Sequence, residues 1–157
     1  RRHTRYIGDW SSDVCSSDLV GDALGARVKL PPLFAVLVNP GVALPTKDVF
    51  ARLGLGPGEP LSGAKHPAIA NAPEVDALLS ALKKARNDLE DPAAVLAPKI
   101  VHALAAIAAA RGCRLARMSG SGATCYGLFE TCRAAARAAK AVRRDHPDWW
   151  VKATALR

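Results

Sequence analysis

Aromatic residues make up only 5% of this 157-residue chain, and it holds a single methionine. That scarcity bears on function, because sheet surfaces that stack bases interleave basic residues with aromatics, and no such array occurs here. Cysteine is sparse as well. Cys15, Cys113, Cys125 and Cys132 form no CxxC pair, and His3, His66, His102 and His146 are scattered without metal-ligand spacing. Both facts fit a reducing compartment and argue against structural zinc, and no residue is expected to ligate a metal. Long apolar runs are missing too: none approaches the roughly 20 residues of a transmembrane helix. The start lacks the charged, apolar and small-residue order of a signal peptide, so a cytoplasmic protein without a membrane partner is expected.

Half of the residues are nonetheless hydrophobic, enough for one ordinary domain with a single core. The formal net charge is +8 and the isoelectric point about 9.7. That balance favours polyanionic partners in general: nucleotides, diphosphates, nucleic acid or an anionic surface. Charge alone does not choose among them.

The first nineteen residues differ from the rest. Ser11-Ser12-Asp13-Val14 and Ser16-Ser17-Asp18-Leu19 form a near-repeat around Cys15 with no helical or strand period. The wording resembles a translated sequencing adapter, so residues 1–19 are expected to be a non-native or disordered leader without function.

From Leu33 onward the pattern is regular. Phe34 to Val38 is a continuous apolar run of strand length, stopped by Asn39-Pro40-Gly41. Thr46 is placed to cap a short helix through about Leu53, and Gly54 to Pro60 forms a Gly/Pro-rich loop. A helix from Pro73 through Arg86 is expected from the spacing of Val75, Leu78, Leu79 and Leu82. Asn87-Asp88-Leu89-Glu90 interrupts it. A second helix runs from about Pro92 to Ala110, kinked or restarted at Pro98, with Leu96, Ile100, Leu104 and Ile107 on one stripe. Gly112 stands where a helix C′ residue belongs.

Two strands follow, Arg114 to Met118 and Thr124 to Phe129. Thr131 can cap an alanine-rich helix to roughly Arg144, His146-Pro147-Asp148 breaks it, and Trp149 to Leu156 reads as a closing strand. The order β, helices, β, β, helix, β predicts an α+β fold, a ferredoxin-like (split βαβ) antiparallel sheet with helices on one face.

Between the two central strands lies Ser119-Gly120-Ser121-Gly122. Glycine lets backbone come close to a ligand, and successive N–H groups with two serine hydroxyls can converge on an anion. The same residues also make tight turns that bind nothing. Asn87, Asp88 and Glu90 form an acidic cluster, best read as capping the next helix and not as a general base. His102 and His146 read as structural.

Several segments, in order, resemble the C-terminal half of the GHMP small-molecule kinases, and among them the enzymes that phosphorylate 4-diphosphocytidyl-2-C-methyl-D-erythritol. They are Leu37 to Val42 with Pro45, Thr46 and Phe50, then Asn87 to Glu90, Arg117 to Phe129, and His146-Pro147 with Trp149-Trp150-Val151. The resemblance covers about Val20 to Arg157, with residues 20–157 as the C-terminal domain and the N-terminal ATP-binding domain missing. It implies transfer of the γ-phosphoryl group of ATP to the 2-hydroxyl of that substrate, with Mg²⁺ assisting, on the methylerythritol phosphate route to isoprenoids. It further implies that Thr46 and Phe50 help form the cytidine pocket and that Ser119, Gly120, Ser121 and Gly122 support the phosphate site. Phe50 is equally readable as a core residue of its helix, and Thr46 as an N-cap. No catalytic residue of that family matches here, since its ATP loop, aspartate and lysine belong to the other half. The chain alone is therefore expected to be inactive, with ATP and Mg²⁺ bound mainly by the missing domain. A homoserine- or mevalonate-type kinase remains open, as does a stand-alone basic module binding nucleotide or RNA. The expected partners are the small-molecule substrate and the missing domain, and not nucleic acid.

Overall fold

Leu33–Asn39 forms β1, the strand around which the other elements are arranged. The structure is a computed structural model that describes residues 28–55, 59 and 63–156. The leader 1–19 and most of the Gly54 to Pro60 loop lie outside the described residues. After β1 come α1 (Thr46–Arg52), α2 (Val75–Lys84), α3 (Glu90–Leu96) and α4 (Lys99–Ala108). Then follow β2 (Cys113–Met118), β3 (Cys125–Phe129), α5 (Cys132–Asp145) and β4 (Trp150–Leu156).

The four strands form one sheet in the order β2-β3-β1-β4, and every neighbouring pair is antiparallel. This is the interleaving that a split βαβ order dictates: β3 separates β1 from β2, and β1 separates β3 from β4. Phe34, Val36 and Val38 of β1 face the main core with Cys125 and Phe129 of β3. From the helices that core takes Ile100, Ala103 and Ile107 of α4 and Ala134, Ala135, Ala138, Ala139 and Val142 of α5.

The expected layer of helices on one face is thus formed by α4 and α5, while α2 departs from it. Leu78 and Leu79 of α2 pack with Leu33, Ala35 and Leu128, which lie on the opposite side of the sheet because strand side chains alternate. The apolar run of β1 carries the signal. A strand with only one covered face alternates apolar and polar residues, whereas Leu33 to Val38 does not alternate at all.

Proline chemistry explains where the helices divide. The residue before a proline is pushed out of the helical region, and Ala97 sits at φ −137°, ψ 81°, ending α3 before Pro98. The break resets the helical phase. Ile100 and Ile107 are buried as the stripe predicts, but Leu96, on the far side of the break, is 42% exposed. Gly112 has the expected positive φ of 88°, yet α4 ends at Ala108, so the glycine serves the turn into β2 and not the C′ position.

Thr131 caps α5 as expected, its Oγ1 accepting from the Ala134 amide at 3.1 Å. At the other end, the His146 and Trp149 rings stack at 3.7 Å and the Trp149 amide donates to the His146 carbonyl. That turn moves the start of the last strand one residue on, to Trp150.

The cysteines divide by burial. Cys125 lies in the core, where burial, helped by the negative charge of Glu90, pushes its thiol up to about 12. Burial raises Cys113 as well, and Cys132 is exposed at the start of α5. A raised thiol pKa means less reactive thiolate, about one part in ten thousand for Cys125 at pH 8. Iodoacetamide at that pH is expected to label Cys132 long before Cys125 in the folded chain. Peptide mass spectrometry over a time course checks this, and equal labelling of the two would contradict the burial of Cys125.

Candidate functional site

The glycine loop closes the hairpin between β2 and β3. The Ser119 amide donates to the Thr124 carbonyl at 2.8 Å, and the Gly122 amide donates to the Ser119 carbonyl at 3.0 Å, making a tight turn over Ser119 to Gly122. Positive φ at Gly120 (55°) and Gly122 (89°) is what glycine supplies there. A Cβ built on Gly120 would meet nothing within 4 Å, so the tip is open to approach.

Three segments distant in sequence converge on this loop. From the end of β1, the Asn39 side-chain amide donates to Thr124 Oγ1 at 3.0 Å, while its Oδ1 accepts from the Gly41 amide. From α1, Thr46 Oγ1 and Ser121 Oγ share a hydrogen bond of 2.9 Å. From the α2–α3 turn, Asn87 Nδ2 donates to the Met118 and Gly120 carbonyls at 3.1 and 2.8 Å, and Glu90 Oε2 accepts from the Met118 amide at 2.8 Å.

Thr46 therefore does not cap α1. Pro45 occupies the cap position with no side-chain hydrogen bond, and Thr46 is the first helical residue, its hydroxyl engaged across the fold by Ser121. Nor is Phe50 a core residue: Val49 takes the buried position of α1, and Phe50 is 53% exposed. The structure thus brings Thr46 to the predicted loop and leaves Phe50 turned outward on the same short helix.

Every member of the Asn87-Asp88-Glu90 cluster has work in the fold. Asn87 does not cap α3 as expected, since Leu89 holds the cap position without a side-chain hydrogen bond. Its Oδ1 instead accepts from the Leu89 amide at 3.2 Å, a local turn just before the helix, and its Nδ2 holds the loop. Asp88 pairs with Arg86 at 2.6 Å. The three hydrogen bonds from Asn87 and Glu90 to Met118 and Gly120 were not legible in the sequence, because they span 28 to 33 residues and no local pattern encodes them.

The loop's polar groups are therefore sorted. The carbonyls of Met118, Ser119 and Gly120 are all engaged, while the amides of Gly120 and Ser121 donate to no group among the described residues. A turn that offers free N–H groups and an adjacent hydroxyl suits an anion and repels a cation. Among the described residues no group of three or more His, Cys, Asp and Glu could hold a metal ion, and no helix is long and apolar enough to cross a membrane. At the other end of α4, a shallow groove of about 250 Å³ is lined by Ala106, Ala109, Ala110, Ala141 and Val142, with Asp145 and His146. Its lining is mostly alanine, and none of it belongs to the loop.

Residues 68–148 match the family described as GHMP kinases C terminal. A protein of Methylobacterium radiotolerans named 4-diphosphocytidyl-2-C-methyl-D-erythritol kinase is 58% identical over 137 residues, covering 87% of this chain and 47% of that protein. A protein of the same name from Xanthobacter autotrophicus is 51% identical over 144 residues, covering 88% of this chain and 48% of its own length. A crystal structure of 4-(cytidine 5'-diphospho)-2C-methyl-D-erythritol kinase superposes with a TM-score of 0.57 at 31% identity, over 85% of this chain and 47% of that one. The chain spans about half the length of the curated relatives it matches.

Proposed function

This chain belongs to the GHMP kinase C-terminal family, and from that premise we propose that it is the C-terminal half of an ATP-dependent kinase whose acceptor is the 2-hydroxyl of 4-diphosphocytidyl-2-C-methyl-D-erythritol. The observation that carries the choice of acceptor is the 58% identity to a kinase of that name. The open glycine turn with its outward amides supports the reading.

In this reading the loop Ser119 to Gly122 supports the triphosphate site. Its free amides face charge on phosphoryl oxygens, and because the loop is already fixed they stabilise that charge without reorganising during transfer. The supply of ATP contacts, of the group that takes the hydroxyl proton and of any Mg²⁺ site is assigned to the half outside this chain. The described residues offer no group of three or more His, Cys, Asp and Glu that would hold the ion.

Thr46 and Phe50 serve the cytidine end of the acceptor. The exposed ring of Phe50 offers a face for a nucleobase, a contact worth about 1–3 kcal/mol by analogy with base stacking elsewhere. The Thr46–Ser121 hydrogen bond joins this end to the phosphate-side loop, so that both parts of the acceptor meet one connected surface.

The decisive experiment joins residues 28–157 to the N-terminal half of the Methylobacterium radiotolerans relative and follows ADP release with the cytidyl acceptor. Turnover in the joined protein and none from this chain alone is expected. Phe50→Ala is expected to raise KM for the acceptor about tenfold with KM for ATP unchanged. A folded joined protein that phosphorylates only homoserine or mevalonate would move the chain to another branch of the family. No turnover with any acceptor would overturn the reading.

A further inference from the structure

We propose that Asn87 is a positioning residue, one that holds the central peptide of the glycine turn in the orientation that presents the Ser121 amide outward. The inference rests on the reading of this loop as the phosphate-side element.

The argument starts from peptide geometry. In a trans peptide the C=O and N–H of one unit point in opposite directions, so anchoring one fixes the other. The Gly120–Ser121 peptide is trans, and its carbonyl accepts from Asn87 Nδ2 at 2.8 Å. Its amide, that of Ser121, must then point away from Asn87. The preceding peptide is fixed in the same way, because the Ser119 carbonyl accepts from the Gly122 amide and so turns the Gly120 amide outward.

These two peptides are not equally secure. The Ser119 carbonyl is held by the turn itself, whereas the peptide between the two central residues of a β-turn is the unit that reverses when one turn type converts to another. Gly120 supplies the positive φ that both forms need at its position, while the reversed form would also carry Ser121 to positive φ, a strain that its Cβ resists only modestly. A reversed peptide would put the Gly120 carbonyl where the Ser121 amide now lies and present an acceptor to a phosphoryl oxygen. Asn87 is the side chain that opposes it, and its second donation, to the Met118 carbonyl, ties the same amide group to the end of β2. Its own placement is secured by the Leu89 amide on Oδ1.

Asn87→Asp separates this role from simple local bonding. The aspartate keeps the oxygen that accepts from Leu89 but replaces the donor with a second oxygen facing two carbonyls. In the chain labelled with nitrogen-15, Asn87→Asp is expected to move the amide signals of Gly120 and Ser121 while that of Leu89 stays. In the joined enzyme it is expected to lower kcat/KM for ATP on the order of 10- to 100-fold, with KM for the acceptor unchanged. Asn87→Ala, which loses all three hydrogen bonds of the side chain, is expected to do the same and to lower the unfolding midpoint as well.

Wild-type Gly120 and Ser121 signals and wild-type kinetics in Asn87→Asp, with only Asn87→Ala impaired, would reduce Asn87 to a local turn former and overturn the proposal. Absence of turnover in the unmutated joined protein would count against the proposed function instead, and the amide signals would still decide the role of Asn87.

Discussion

Gly127→Ala lowers the stability of this chain by about 3 kcal/mol, at the upper end of what an added methyl costs in a filled core. A Cβ at this position would lie 2.2 Å from Ile107 Cγ2 and 3.2 Å from Phe129 Cε2. The first contact is far inside van der Waals distance, and its partner cannot swing aside. Cγ2 sits on the branched carbon of isoleucine, one bond from the backbone-bound Cβ, and such side chains have one strongly preferred rotamer in a helix. Relief must come from moving α4 away from the sheet. Gly127 lies in the sheet interior, opposite Val36 on β1 and Ala116 on β2, so that movement would open the core along its length. Urea unfolding followed by circular dichroism measures the loss. A fall of less than about 1 kcal/mol would mean that α4 does not pack as closely as described. Ile107→Ala should rescue part of the effect, because the new methyl would occupy space that the lost side chain leaves, and a double-mutant cycle would report that coupling as non-additivity.

Gly122→Ala is expected to impair both stability and, in the joined enzyme, turnover. At φ 89° any residue with a Cβ is strained, at a cost of roughly 1–2 kcal/mol. The Cβ would also lie 2.8 Å from Met118 Sδ, 3.2 Å from Leu44 Cδ2 and 3.4 Å from Ile100 Cδ1. Methionine is flexible, and on a surface it would yield. Met118 is fully buried, however, so its sulfur has no vacant space to enter, and the backbone of the loop gives way instead. The shift is carried to the Ser121 hydroxyl and to the two free amides, and a displacement near 1 Å at such groups costs on the order of 100-fold in rate. The measurement is kcat/KM for ATP in the joined protein beside the urea midpoint of the chain. Wild-type turnover in a destabilised Gly122→Ala would detach the loop from the reaction. Gly120→Ala is the informative control, because nothing lies within 4 Å of its Cβ and only the backbone strain at φ 55° remains.

The two glycines differ in how readily they are read from sequence. Gly122 belongs to a cluster of small residues between two strand-like runs, and its turn role follows from composition. Gly127 sits alone among β formers, a pattern that marks a close approach of another element without saying which. Only the packing identifies Ile107 as the neighbour. The same limit applies to Thr46 and Asn87. Both were expected as caps, since short polar side chains at a helix boundary usually bond to local backbone. Asn87 bonds to local backbone without taking the cap position, and Thr46 makes no such bond, but both reach the glycine loop, which lies more than thirty positions away from either.

By itself the sequence determined the element order, the antiparallel α+β class, the break at Pro98, the Thr131 cap and the position of the glycine turn. Each depends on contacts between near neighbours: hydrophobic period, proline's lost donor, a hydroxyl reaching three residues along. Tertiary structure alone decided that α2 is the helix covering the second face of the sheet, that Phe50 faces outward, and that Asn39, Thr46, Asn87 and Glu90 meet around one loop. Those outcomes come from contacts between residues far apart in the chain, which the closing of the sheet brings together and which no local preference specifies.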